Sequence, residues 1–116
     1  MKNFQYALHG FVTALRTEKN LRFHLASAVA VTAAGIFFKI DFLEWMVVVL
    51  CIVFVITAEL MNTALEKLCD VVTRDHHPQI KIIKDIAAAG VLIAAAGAAV
   101  AGLIIFTPKI ITLLHL

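Results

Sequence analysis

The sequence predicts an all-α integral membrane protein of one domain. An N-terminal amphipathic helix (residues 1–22) lies on the membrane surface, and three transmembrane helices follow (23–40, 42–72 and 84–107). Three observations carry that reading. Apolar residues make up 62% of the chain and mean hydropathy is +0.96, whereas a soluble domain is about half apolar. Three runs, Phe23 to Phe38, Trp45 to Ala58 and Ile86 to Phe106, contain no Lys, Arg, Asp or Glu. Basic residues are also sorted: Lys2, Arg16, Lys19, Arg22, Lys67, Arg74, Lys81 and Lys84 fall at one end of the expected bundle, and only Lys39 and Lys109 at the other. By the positive-inside rule the crowded end, with the N-terminus, is cytoplasmic. The net charge of +2 is too small to suggest a nucleic-acid partner.

In the first segment Phe4, Leu8, Phe11 and Leu15 recur at i, i+4, i+7 and i+11, one apolar stripe on a helix. Lys2, Arg16, Lys19 and Arg22 supply the charge of an interfacial helix against anionic headgroups. No cleavable signal segment is expected there. The first crossing carries His24 at its boundary, and Lys39 can snorkel to the far interface. Asp41 and Glu44 mark a short polar turn, with Trp45 at aromatic-belt depth. The second crossing runs on past its uncharged part. Counted from Glu44 at helical rise, Glu59 lies about 22 Å along and Lys67 about 34 Å, so in a core of about 30 Å Glu59 sits just below the headgroups. Residues 72–84 read as a polar connection broken by Pro78. The third crossing has a small-residue seam (Ala87, Gly90, Ala94, Gly97, Ala101) and ends at Pro108 and Lys109. Cys51 and Cys69, on one helix, would be about 27 Å apart and read as free thiols.

The rest is organised around Glu59 to Asp70, E-L-M-N-T-A-L-E-K-L-C-D. Glu59, Asn62 and Glu66 share one helix face, and Asp70 continues it. A carboxylate within a span costs several kcal/mol to strand in hydrocarbon and marks a functional site. Carboxylates suit a hard cation such as Mg²⁺, held together with substrate phosphates. A lysine can offset phosphate charge, and a carboxylate at the depth of a lipid hydroxyl can accept its proton. These parts point to phosphoryl transfer from a nucleotide to a membrane alcohol. The chain lacks G-x-x-x-x-G-K-[ST], H-R-D and D-F-G, so it belongs to neither familiar kinase class.

The run E-L-M-N-T-A-L-E from Glu59 to Glu66, with Asp70, His77 and K-D-x-A-A-A from Lys84 to Ala89, resembles the prokaryotic diacylglycerol kinase family. E-K-N-L-R-F-H from Glu18 to His24 resembles that family's surface-helix motif, and the likeness extends from about Phe4 to Phe106. The resemblance implies a homotrimeric kinase of the bacterial plasma membrane with its sites at the cytoplasmic interface. It implies ATP as donor, Mg²⁺ as cofactor and a membrane lipid alcohol as acceptor. On this chain Glu59 matches the family's general base, while Glu18 and Glu66 match the carboxylates that hold the metal carried by ATP. Asn62, Asp75, His77, Lys84 and Asp85 match polar residues around the nucleotide, and Tyr6 an N-terminal aromatic near it. Asp70 reads as a helix-end or supporting group. One branch of the family takes diacylglycerol and another undecaprenol; His24 and K-N-L-R-F-H resemble the undecaprenol branch more.

Each residue has a plainer reading. Glu59 could hydrogen-bond between helices, Glu66 pair with Lys67 or Arg74, and Glu18 pair with Arg22 at i+4. Asn62 could join helices, Lys84 and Asp85 could be flanking charges, and His76 and His77 solvated loop residues. A different class of function, a small ion- or proton-carrying subunit, also uses a lone membrane carboxylate such as Glu59. It requires polar steps reaching both faces, and the uncharged runs supply none in the outer half.

Overall fold

The computed structural model describes residues 2–115, in which four α-helices follow one another: α1 (Lys2–Thr17), α2 (Lys19–Phe38), α3 (Phe42–Val72) and α4 (Pro78–Leu113). Three of them, α2, α3 and α4, are long and apolar enough to cross a membrane. The 31 residues of α3 and 36 of α4 extend about 46 and 54 Å, beyond a hydrocarbon core of about 30 Å. Large apolar side chains face outward all along them: Phe54, Leu92, Ile93 and Ile104 are 68–72% exposed. Such a surface is at home in lipid, where a helix satisfies its own backbone polar groups. The all-α membrane architecture expected from the sequence is therefore the one found.

The helix expected over residues 1–22 breaks at Glu18 (Met1 lies outside the described residues). Glu18 has an extended backbone, φ −116° and ψ 112°. Two interactions hold the elbow. Arg22 Nη1 donates to the carbonyls of Leu15 at 2.9 Å and Arg16 at 3.0 Å, supplying partners to the last turn of α1. Ala14 and Leu21 are buried inside the bend. Arg22 is thus a helix cap rather than the partner of Glu18. Of the apolar stripe, Phe11 and Leu15 are half-buried, while Phe4 and Leu8 are exposed.

At the opposite end of the bundle, the α2–α3 turn places Lys39 in the left-handed region, φ 54°. The N–H of Ile40 donates to Gly35 O at 3.1 Å and that of Lys39 to Ile36 O at 3.3 Å. Asp41 and Glu44 then form a capping box: Glu44 N–H donates to Asp41 Oδ1 (2.9 Å), and Asp41 N–H to Glu44 Oε1 (3.1 Å). Trp45 lies so close beneath Gly35 that a Cβ there would stand 2.7 Å from Cη2 of the indole. Gly35→Ala is expected to destabilise the protein by about 1–3 kcal/mol through overpacking, read as a lower unfolding temperature in lipid. The same change at Gly90, where a Cβ meets nothing within 4 Å, is the control.

The last helix departs from expectation at both ends. The polar connection shrinks to residues 73–77, because Pro78 starts α4 instead of breaking it. Its missing N–H falls where no intrahelical bond is made, and the N–H of Gln79 donates to His77 Nδ1 at 3.1 Å. Nor does Pro108 end the helix, which continues to Leu113. Pro108 removes one amide donor, but Lys109 ties the next turn down. Its Nζ donates to Glu44 Oε2 on α3 at 2.7 Å and to its own helix at Ile105 O, 3.4 Å away. Beside that pair Ile40, Val48 and Ile105 form a buried cluster flanked by Phe38, Trp45 and Phe106.

Packing along α4 uses a face shifted from the expected seam. Ala87, Ala94 and Ala101 are half-buried, but Gly90 and Gly97 face open space. Ala95, Ala98, Ala99 and Gly102 line instead a groove of about 330 Å³ between α2, α3 and α4. Both cysteines are free, as expected.

Candidate functional site

The predicted residues collect at the elbow end of the bundle, where α1 meets α2, α3 ends and α4 begins. Helical spacing alone puts Glu59, Asn62, Glu66 and Asp70 on one face of α3. Burial separates them. Glu59 is only 2% exposed and Thr63, one turn on, 4%, whereas Asn62 and Glu66 are half-buried and Asp70 is exposed.

The partner of Glu59 is His24, which the sequence reading did not assign. His24 Nε2 on α2 lies 3.2 Å from Glu59 Oε1. The same histidine sits at one end of the groove, which runs past Cys51, Ile52 and Val55 of α3 to Ile105 of α4. That channel is almost wholly apolar, so the imidazole lines one end of a hydrocarbon-walled slot with the buried Glu59 carboxylate next to it.

Glu18 and Glu66 flank this pair, near enough for their charges to bear on Glu59. Glu18 is fixed by its place between α1 and α2, and its Oε1 is 4.0 Å from Lys67 Nζ. On Glu66, Oε1 accepts from Asn62 Nδ2 at 3.4 Å. Asn62 Oδ1 is buried without a hydrogen-bond partner among the described residues, which leaves an unsatisfied acceptor beside Glu66. Lys84 Nζ donates to Asp70 Oδ1 at 2.9 Å across the α3–α4 junction and is close enough to Glu66 to feel its charge. One ammonium therefore bridges the rim of the carboxylate group.

Other expected residues stand apart. Asp85 pairs with Lys81 at 2.6 Å on the surface of α4, both side chains more than 60% exposed. His77 caps α4. Asp75 is exposed in the connection, its N–H donating to Thr73 Oγ1 at 3.1 Å. Tyr6, on α1, is 68% exposed. A nucleotide reaching these four would have to lie across the outside of the elbow end.

Among the described residues no three His, Cys, Asp or Glu side chains converge as a ready-made cation cage. Glu18 and Glu66 nevertheless fit a hard cation that arrives with its own phosphate ligands, since one or two carboxylates suffice for such an ion.

A family profile described as prokaryotic diacylglycerol kinase matches residues 5–106. The chain belongs to that family. It is accordingly an enzyme, a lipid kinase. A Bacillus subtilis protein named undecaprenol kinase is 40% identical over 109 residues, which is 94% of this chain and 89% of the relative. A Synechocystis protein named diacylglycerol kinase is 35% identical over 113 residues, 97% of this chain and 65% of the relative. The lipid kinase reached from the carboxylate of α3 and the family now coincide, and the family match covers α2, α3 and α4 as far as Phe106.

Proposed function

We propose that this lipid kinase transfers the γ-phosphoryl group of ATP, with Mg²⁺, to the hydroxyl of a membrane lipid alcohol, undecaprenol in preference to diacylglycerol. The observation that carries the reading is Glu59, a carboxylate 2% exposed on a membrane-spanning helix, within two helical turns of the polar rim. A charge in that position is expensive, and a proton-accepting role at lipid-hydroxyl depth gives it a purpose. Support for undecaprenol comes from the higher identity to the Bacillus subtilis relative of that name.

In this reading the acceptor's hydrocarbon lies in the groove beside His24 and its hydroxyl meets Glu59. Glu59 accepts the hydroxyl proton as the oxygen attacks phosphorus. Glu18 and Glu66 would hold Mg²⁺, which would supply charge neutralisation for the phosphate groups being transferred. Lys84 and Asn62 orient the phosphate groups, Asp70 holds Lys84 in place, and Tyr6, Asp75, His77 and Asp85 border the nucleotide. The elbow end faces the cytoplasm of a bacterial plasma membrane, a reading supported by the clustered basic residues. Helix α1 lies along that face, and three copies assemble with sites between subunits.

The test is phosphate transfer from labelled ATP in mixed micelles offering undecaprenol and diacylglycerol side by side with Mg²⁺. Undecaprenol phosphate is expected as the main product. Preference for diacylglycerol would reverse the substrate assignment, and transfer to neither would return Glu59 to the ion-carrying reading.

A further inference from the structure

We propose that His24 is a positioning residue for the transfer: its ring holds Oε1 of Glu59 so that the opposite oxygen, Oε2, is presented to the acceptor hydroxyl. The proposal rests on the lipid-kinase reading of the same site.

Among the described residues His24 is the one side chain paired with Glu59, at 3.2 Å. The carboxylate hangs on a flexible stem in apolar surroundings and has two equivalent oxygens. Unheld, it samples several rotamers, of which few point an oxygen at a lipid hydroxyl. The imidazole removes that freedom, because it is itself held. Phe23 meets its ring edge-on, centroids 5.5 Å apart. Leu21, one turn back on α2, is fully buried, and Thr63, one turn on along α3, is buried too. Both backbones are therefore fixed where the pair meets. In the proposed arrangement the Nε2 proton turns toward Oε1, 3.2 Å away, and Oε2 is left to the acceptor. An imidazole and a carboxylate that fix each other's orientation in this way are known to be worth far more in rate than in binding.

The step balances without a proton from His24. The acceptor O–H bond breaks and its proton passes to Glu59 Oε2. The oxygen bonds to the γ-phosphorus, and the bond from phosphorus to the β–γ bridging oxygen breaks with its electron pair leaving on ADP. Nε2 keeps its own proton throughout.

The test compares wild type, His24→Ala and His24→Gln in mixed micelles with ATP, Mg²⁺ and undecaprenol. His24→Ala is expected to lower kcat by about 10–100-fold, the usual loss when an orienting partner is removed, with KM for lipid and nucleotide nearly unchanged. His24→Gln, whose Nε2 can donate from a similar position, is expected to recover most of that loss. An unchanged kcat in His24→Ala would overturn the proposal, as would a rise in KM alone or a failure of Gln to do better than Ala. Nitrogen-15 NMR of the labelled full chain in lipid adds a readout independent of turnover. The His24 Nε2 signal is expected to report a proton that Glu59→Ala perturbs, and an unperturbed signal would count against the contact. If wild type phosphorylates no lipid alcohol, the kinase reading itself falls and takes the positioning role with it. If wild type is active and His24→Ala is too, only the positioning role falls.

Discussion

Glu59→Gln is expected to lower kcat by about 10²–10⁴-fold, the contribution typical of a positioned general base, while affinity for Mg–ATP stays nearly unchanged. The substitution keeps the shape of the side chain and an oxygen that can face His24 Nε2, 3.2 Å from Oε1 in the native protein. It removes only the ability to take up a proton. Glu59→Asp separates basicity from placement, since it retains the carboxylate but shortens its reach toward His24 by one methylene. A displacement near 1 Å can itself cost about 10²-fold, so Asp should be impaired but more active than Gln. The check is steady-state kcat alongside nucleotide binding by titration calorimetry. A Gln variant that turns over at the native rate would remove Glu59 from the role of base.

The sequence singled out Glu59, which is 2% exposed on α3, because a carboxylate directly after a long uncharged run is costly unless it has a role. Helical rise could have found His24. It stands 15 residues before Lys39, as Glu59 stands 15 after Glu44, so in an antiparallel hairpin both lie about 22 Å from the turn. His24 went unassigned because a lone histidine near a span boundary has a comfortable explanation as an interfacial residue. The break at Glu18 was hidden for a different reason. Arg16, Lys19 and Arg22 all suit an amphipathic helix, and only the side-chain capping by Arg22 makes a bend at Glu18 preferable. Proline misled twice. Pro78 takes a first-turn position where it is helix-compatible, and Pro108 is tolerated because Lys109 anchors the following turn to Glu44.

Glu66→Gln is expected to act on binding where Glu59→Gln acts on rate. Its Kd for Mg–ATP should rise about tenfold, equivalent to about 1.4 kcal/mol, and half-maximal activity should need more Mg²⁺. The fold should survive, because Gln keeps an oxygen that can accept from Asn62 Nδ2, the 3.4 Å contact of the native side chain. Glu18→Gln gives the complementary case from the α1–α2 elbow, where the carboxylate faces Lys67 at 4.0 Å. If both carboxylates hold one cation, either loss alone spoils its coordination, and the double variant weakens nucleotide binding by less than the sum of the two. Independent roles would instead give additive losses. Asp41→Asn, at the opposite end of the bundle, is the matched control, since Asn can supply the same N-cap to α3. Nucleotide affinity unchanged in Glu66→Gln, with the Mg²⁺ requirement also unmoved, would take Glu66 out of the metal site and leave its contact with Asn62 as its role.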